Sequence, residues 1–130
     1  MKYLQKELTL DLKTKIEQKE TIMKELIEKV LKEYKPIFAE KRLVLDAAFD
    51  KNGEEYFQPG YLSSLTIGVI DERGELCDLH RIKIWECERI FLGVPIVSKF
   101  PGSKVIGELL DETGEEIEQE LKEYMDEYLE

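Results

Sequence analysis

Apolar and polar positions alternate most regularly between Leu65 and Glu86. Every second residue from Leu65 to Val69 is a large aliphatic one, which is the period of a strand with one buried face. Asp71-Glu72-Arg73-Gly74 then interrupts the pattern, and an extended run returns from Leu76 to Trp85. A glycine in such a loop suits the left-handed position of a short turn. The pattern therefore predicts a β-hairpin at the centre of the chain.

The second arm of this hairpin is less regular than the first. Cys77 and Leu79 would lie on one face of a regular strand, and Ile82 would lie with Ile84 on the opposite face. A β-bulge near His80-Arg81 would rephase the strand and turn both pairs toward the core. Because bulges also re-aim functional side chains, His80 and Arg81 become candidate site residues.

Apolar residues recur at helical spacing in two places. Residues 22–34 predict an amphipathic helix that ends before Pro36, because a residue that precedes proline is disfavoured in helical geometry. Thr113 predicts the start of a second helix over about 113–129, since Glu116 follows at the spacing of a capping box. The inner stripe of that second helix comprises Ile117, Leu121, Tyr124, Met125 and Tyr128.

The segment before the first helix admits two interpretations. Its leucines and Ile16 fall on one parity, which predicts an amphipathic strand over about 7–17. A helix is the alternative, because leucine, glutamate, lysine and glutamine are all good helix formers. The predicted order of elements begins with this strand.

Three further strands are predicted from turn signals and apolar runs. Residues 42–50 carry apolar side chains on both faces, which is typical of an interior strand. Asn52-Gly53 is a strong hairpin turn signal, so residues 54–58 are predicted to pair back before a turn at Pro59-Gly60. Residues 104–110 form the last predicted strand.

Residues 88–103 fit neither the strand nor the helix pattern. They are too apolar for a solvated loop, yet prolines and glycines interrupt them. We expect a packed, irregular connection in which Phe91, Leu92 and Phe100 are candidates for contact with another protein chain. Because exposed apolar patches commonly mark interfaces, the same segment is a candidate seam for a homodimer.

These elements predict a single α+β domain over residues 1–130. An antiparallel sheet of five to six strands would carry two helices packed on one face, one after the first strand and one at the C-terminus. The 42% hydrophobic and 37% charged composition suits a globular domain with its own core. No apolar run approaches the roughly 20 residues of a membrane span, and the first residues lack the apolar centre of a signal peptide. We therefore expect a cytoplasmic protein without a membrane partner.

The net charge of −10 arises at the end of the chain. Residues 1–107 hold 18 acidic and 18 basic side chains, whereas residues 108–130 hold 11 acidic side chains and one lysine. This layout disfavours binding to nucleic acid or to an anionic membrane, because both depend on basic residues. The acidic face of the second helix is a candidate contact for a basic protein partner through Glu116, Glu120, Glu123 and Glu127.

Candidate catalytic and metal-binding residues are few. Cys77, His80 and Cys87 fall short of the four ligands of a structural zinc site, so we expect neither a metal nor a cofactor. Catalysis by a cysteine and a histidine needs an exposed, activated thiol, which the strand pattern around His80 does not indicate, and no catalytic residue is assigned. Glu86 and Glu88 form one of several acidic pairs whose spacing fixes no reaction.

Two hypotheses about function follow. The first is a non-enzymatic protein-binding protein of the inhibitor, immunity or chaperone-like kind, which presents the acidic helix and the apolar irregular segment to its partner. The alternative is a small enzyme or ligand-binding domain with a pocket between sheet and helices, near His80, Arg81, Trp85 and Glu86. Fold class alone does not decide between them.

Overall fold

The computed structural model describes all 130 residues and contains two α-helices and six strands. In chain order the elements are β1 (Lys2–Leu4), α1 (Leu10–Glu40), β2 (Val44–Asn52), β3 (Leu62–Ile70), β4 (Leu76–Phe91), β5 (Val94–Ile96), β6 (Lys104–Leu109) and α2 (Gly114–Leu129). A turn of 3₁₀ helix, Gln5–Glu7, links β1 to α1. The strands form one antiparallel sheet in the order β1-β6-β4-β3-β2, with β5 paired to β4. The predicted α+β class is confirmed.

The predicted strand over residues 7–17 is wrong, because α1 begins at Leu10. Leu12 and Ile16 are buried, and their spacing of four fits a helix as well as a strand. Leu10 distinguishes the two, since a strand would bury it together with Leu12 and the helix leaves it 77% exposed. The Thr9 hydroxyl caps the helix by accepting a hydrogen bond from the Leu12 N–H at 3.3 Å. The chain therefore adopts the helical alternative.

The first helix also continues through Pro36, so its predicted end before the proline is wrong. A proline inside a helix removes one hydrogen bond and costs about 3 kcal/mol. Tyr34 and Phe38 lie on either side of Pro36 along the chain, and both are buried. Burial of each such side chain contributes roughly 1.5–3 kcal/mol, which together outweighs the cost of the proline.

The end of α1 is set by Arg42, which adopts a left-handed conformation with φ 61°. The Arg42 N–H donates to the Ala39 carbonyl and the Leu43 N–H donates to the Phe38 carbonyl, both at 3.0 Å. These two bonds form a Schellman motif, which usually has glycine at the left-handed position. Because arginine stands there, no glycine marks the end of this helix in the sequence.

The predicted central hairpin of β3 and β4 is confirmed. The Asp71 N–H donates to the Glu75 carbonyl at 2.9 Å, and Gly74 has φ 80°. The Asp71 carboxylate also accepts hydrogen bonds from the backbone of Arg73 and Glu75. This use of an aspartate side chain to hold its own turn explains why the local sequence predicts the turn well.

The predicted return strand at residues 54–58 is wrong. Asn52 ends β2, and Gly53 turns the chain with φ 97°, but the residues that follow form successive turns. The Tyr56 carbonyl accepts a hydrogen bond from the Trp85 indole at 2.7 Å, where a strand residue would pair with a neighbouring strand. The turn signal is therefore real, but it leads into a loop that binds a core aromatic residue.

The chain divides into two compact units, and each combines three segments. Unit 1 comprises Met1–Glu20, Asp50–Ser64 and Lys83–Asp111. Its core is formed by Leu12, Ile16, Tyr61, Trp85, Cys87, Val105 and Leu109. Unit 2 comprises Thr21–Phe49, Leu65–Ile82 and Glu112–Glu130.

Within unit 2, α2 packs against α1. The Thr113 hydroxyl accepts from the Glu116 N–H and the Glu116 carboxylate accepts from the Thr113 N–H, so the predicted capping box is confirmed. Of the predicted inner stripe, Ile117, Leu121 and Met125 are buried, and the two tyrosines are half-buried. The two helices are joined by the Lys29–Glu118 ion pair at 2.8 Å, the Tyr34–Asp126 hydrogen bond at 3.1 Å and the stacking of Phe38 on Tyr128.

Unit 1 is centred on Trp85, whose side chain is fully buried. β6 runs beside β4 and places Gly107 opposite Cys87. A methyl group added to Gly107 would overlap the six-membered ring of Trp85. Glycine is therefore required at this point of β6 because the backbone approaches the indole closely.

Gly107→Ala is expected to lower the free energy of unfolding by about 2–3 kcal/mol, because the added methyl group has no space beside Trp85. Urea denaturation measures the change. Gly68→Ala in β3 is the matched control, since its methyl group would come close only to the flexible end of the Leu76 side chain, at 3.2 Å, and would lie at ordinary contact distances of 3.4 Å from Leu79 and 3.5 Å from the Asp78 carbonyl. A loss as large in the control as in Gly107→Ala would contradict the close-approach explanation.

Candidate functional site

The β4–β5 hairpin holds a leucine in an unfavourable backbone conformation. Phe91 pairs with Val94, so Leu92 and Gly93 are the two turn residues. Their φ angles are 52° and 78°, the combination found in a type I′ turn, where asparagine and glycine are preferred. A left-handed conformation costs roughly 1–2 kcal/mol for a residue such as leucine. Leu92 is therefore strained at the tip of the hairpin.

The predicted irregular connection over residues 88–103 is thus wrong in its first part, which is a regular hairpin up to Ile96. Its apolar side chains are only partly packed. Phe91 stacks on Phe100 with ring centroids 5.8 Å apart. Four apolar residues remain more than half exposed, and we call them the hairpin surface: Leu92 (86%), Val94 (58%), Val97 (101%) and Phe100 (53%).

A cleft of about 400 Å³ lies next to the hairpin turn in unit 1. Its volume is in the range of small-ligand sites. Glu86 is paired with Glu108 and Glu88 with Ile106 across β4 and β6, so these side chains share one face of the sheet. The full lining comprises Lys2, Lys83, Glu86, Glu88, Ile90, Gly93, Ile106, Gly107 and Glu108.

A change of phase in β4 directs these carboxylates to the cleft. Residues three apart on a regular strand point to opposite faces, yet Lys83 and Glu86 form an ion pair at 2.9 Å. Ile84 and Trp85 between them are both buried. β4 therefore contains a bulge at Ile84-Trp85, which places the indole in the core and Glu86 on the opposite face.

The bulge lies further along β4 than the predicted position near His80-Arg81. Cys77 and Leu79, which the predicted bulge would have turned inward, are exposed. Ile82 is buried, and the alternation of side chains between the two faces of β4 is not interrupted before this residue. The prediction failed because it assumed that every apolar residue of the arm must face the core.

The carboxyl groups of the cleft differ in their partners. A hydrogen bond joins the Glu86 and Glu88 side chains. It lowers the pKa of Glu86, to which Lys83 also contributes, and it raises the pKa of Glu88. Neither Glu88 nor Glu108 forms an ion pair with a lysine or an arginine. The cleft thus holds three carboxyl groups and two lysines, with Lys2 opposite Glu108 across β1 and β6 and Lys83 attracted to all three carboxyl groups.

The four residues of the alternative pocket have different environments. His80 Nε2 lies 3.1 Å from Glu120 Oε2, and the imidazole is one-third exposed. Arg81 is exposed, whereas Trp85 is fully buried in the core of unit 1. Glu86 is the member of the set that lines the cleft.

The two cysteines are free, with Cys77 exposed and Cys87 buried. Burial raises the pKa of Cys87 to about 11, so its thiol stays protonated near neutral pH and is a poor nucleophile. No group of three or more histidine, cysteine, aspartate or glutamate side chains is arranged to hold a metal ion.

The acidic side chains predicted to contact a partner are partly engaged within unit 2. Glu116 closes the capping box of α2, Glu120 pairs with His80, and Glu123 accepts a hydrogen bond from within the helix. Glu127 is exposed and its carboxylate has no such contact. Three of the four predicted side chains are therefore already engaged in contacts within unit 2.

A buried carboxylate was not predicted from the sequence. Glu20 is only 4% exposed, and its two oxygens accept hydrogen bonds from the Tyr56 hydroxyl at 3.1 Å and the Tyr61 hydroxyl at 2.8 Å. Lys51 Nζ lies 5.4 and 5.7 Å from the centroids of the same two rings. The spacing in the sequence could have revealed it, because Glu20 follows Ile16 by four residues, about one helical turn, and therefore lies on the apolar stripe.

Comparison with protein-family models, curated proteins and solved structures gives no match. Neither helix combines the length and the apolar content needed to cross a lipid bilayer.

The protein is expected to lose stability in alkaline solution, because burial raises the pKa of Tyr34 and Tyr56 to about 12 and raises that of Tyr61 further. Groups whose pKa is higher in the folded state stabilise it below their unfolded pKa of about 10, and this contribution is lost as the pH rises above that value. Urea denaturation should show the free energy of unfolding falling above about pH 10. For Tyr61→Phe the free energy of unfolding should fall less steeply with pH. Equal slopes for the variant and the wild type would contradict the assignment of this effect to the buried tyrosine.

Proposed function

We propose that the chain is a non-enzymatic, cytoplasmic protein-binding protein and that the hairpin surface contacts its partner. The observation that carries the proposal is Leu92, which is 86% exposed in a left-handed conformation unfavourable for leucine. The side chain lowers local stability and buries almost nothing in return. Strain of this kind, held on an exposed turn, supports a role in recognition.

The other members of the hairpin surface support the same role. Val94, Val97 and Phe100 are each more than half exposed, and Phe100 is anchored by stacking on Phe91. The exposed Lys99 adds a charge within the same stretch. An apolar centre with a polar rim is the usual composition of a protein interface.

The hairpin surface by itself is smaller than a complete protein interface. A stable interface buries about 800 Å² on each partner, which involves some 20–30 residues a side. Four apolar residues form only the centre of such a contact. A homodimer through the same seam remains a distinct outcome that the experiment below identifies.

Leu92→Asn is expected to raise the free energy of unfolding by about 1 kcal/mol, because asparagine suits a type I′ turn, and to abolish partner binding. Urea denaturation measures the first effect. Recovery of proteins from native cells on the immobilised variant and wild type, quantified by mass spectrometry, measures the second. Because the variant is expected to be more stable and yet to lose its partner, the loss of binding cannot be caused by unfolding.

Arg42→Gly is the matched control, since it relieves the same kind of strain at the end of α1 and does not touch the hairpin. Its free energy of unfolding should rise by up to about 1 kcal/mol, and it should still bind the partner. Retention by both variants, or loss by both, would refute the assignment of the hairpin surface. Sedimentation velocity adds one distinction, because a wild-type dimer that becomes monomeric in Leu92→Asn identifies the partner as a second copy.

We propose the exposed acidic face of α2 as a second contact, for a basic region of the partner. Glu123 and Glu127 support it, since both are exposed and neither has a cationic neighbour within ion-pair distance. Glu123→Gln combined with Glu127→Gln should weaken capture, most at low ionic strength. The same changes at exposed Glu54 and Glu55 of unit 1 provide the control. Equal recovery by both double variants would remove α2 from the proposal.

A further inference from the structure

We infer that the partner presents an acidic side chain beside apolar ones, and that Arg89, Lys99 and Lys104 receive it next to the hairpin surface. This inference rests on the proposed function and adds the chemistry of the partner to it. Residues 89–107 contain these three basic residues and neither aspartate nor glutamate, whereas the rest of the chain holds 16 basic against 29 acidic side chains. The hairpin surface therefore lies in a stretch with a charge of +3, on a chain whose other residues sum to −13.

The turn over residues 100–103 brings the three basic residues to one place. It is closed by a hydrogen bond of 3.0 Å between its first carbonyl and its last N–H. The ends of such a turn lie within about 7 Å of each other, so the chain enters and leaves it near one point, with Lys99 on one side and Lys104 on the other. Arg89 Nη1 donates to the Ser103 hydroxyl at 3.1 Å, which holds the guanidinium against the same turn.

The guanidinium of Arg89 has no anionic partner within the fold. Its side chain is half-buried and its hydrogen bond goes to the neutral Ser103 hydroxyl. None of the ion pairs of the structure involves Arg89, Lys99 or Lys104, and Glu88, the preceding residue, points to the opposite face of β4. No other nitrogen of the guanidinium is buried without a partner, so its remaining donors face solvent. A guanidinium binds a carboxylate through two parallel hydrogen bonds, and these donors are free to form them.

The basic group and the exposed apolar surface lie side by side on the hairpin. Arg89 is paired with Ile96 and Phe91 with Val94 across β4 and β5, so Arg89 and Val94 share one face. The two pairs are two residues apart, which is about 7 Å along a strand. Side chains at alternate positions of an extended segment have the same spacing. A partner segment with an acidic residue two positions from an apolar one therefore matches this face.

The charge of the remaining chain restricts the kind of anion that can bind. A long polyanion such as a nucleic acid extends beyond residues 89–107 and would meet a chain that is otherwise acidic. A short acidic segment, anchored by its apolar residues at Leu92 and Val94, needs to contact only the basic stretch. The acidic remainder of the chain also disfavours other docking positions for such a segment, which adds specificity.

Three synthetic peptides test the inference on the full chain at physiological ionic strength. They alternate leucine with glutamate, with glutamine, which is neutral and of nearly the same shape, or with phosphoserine. Titration is followed by the methyl resonances of Val94 and the side-chain Nε resonance of Arg89. The glutamate peptide should shift both and bind about tenfold more tightly than the glutamine peptide, because charge-assisted hydrogen bonds are the stronger ones. Equal affinities of these two peptides, or an unmoved Arg89 resonance, overturn the inference, and so does binding of the phosphoserine peptide alone.

Lys99→Gln combined with Lys104→Gln should weaken binding of the glutamate peptide about tenfold. Lys32→Gln combined with Lys35→Gln is the matched control, because it makes the same charge change at exposed positions of α1 and should weaken binding by less than about twofold. Arg89→Lys keeps the charge but removes the paired donors, so it should also weaken binding. All four substituted lysines are exposed, and urea denaturation verifies that both double variants fold. Equal losses of affinity in the two double variants would overturn the inference, since net charge alone would then explain them.

Capture of the native partner distinguishes failure of this inference from failure of the proposed function. Loss of the partner by both Leu92→Asn and the double variant of Lys99 and Lys104 supports both. Loss by Leu92→Asn alone refutes the acidic side chain of the partner and leaves the hairpin surface as the contact. Retention by Leu92→Asn refutes the proposed function itself.

Discussion

A carboxylate buried on the apolar stripe of a helix requires hydrogen-bond donors, and this requirement organises unit 1. Glu20 obtains its donors from Tyr56 and Tyr61, which lie in the segment that leaves β2. That segment cannot form a hairpin while both hydroxyls reach the helix. Its backbone instead offers a carbonyl to Trp85, whose ring in turn excludes any side chain at Gly107. One ionisable residue thus fixes a loop, a core aromatic and the approach of a neighbouring strand.

Local sequence signals predicted those elements whose stabilising contacts are themselves local. The turn at Asp71 and the cap at Thr113 are each completed within four residues, and both were predicted correctly. The strand predicted over 7–17 was wrong because a spacing of four residues between Leu12 and Ile16 fits a helix as well as a strand. The failures at Pro36 and 54–58 share another cause. In each case contacts with distant residues, through buried side chains or through Trp85, outweigh the local preference.

The functional surfaces were predictable to a smaller degree. The apolar character of Leu92 and Phe100 is evident in the sequence, and so is the acidic pair of Glu86 and Glu88. Their arrangement depends on the φ angle of a turn residue and on the pairing of β4 with β6, which composition does not encode. The contact between Glu120 of the acidic helix and His80, 3.1 Å apart, could not be predicted either, because the two residues lie 40 positions apart in the sequence.

The bulge at Ile84-Trp85 has a consequence for how this chain can evolve. The extra residue of the bulge decides which face of the sheet each later side chain of β4 occupies. Removal of a single residue there would therefore move the indole to the face of the carboxylates and the carboxylates to the face of the core. Replacement of individual side chains changes affinity or packing by degrees, whereas a change of one residue in length inverts the strand. We therefore expect descendants of this sequence to vary in composition along β4 but to keep its length constant.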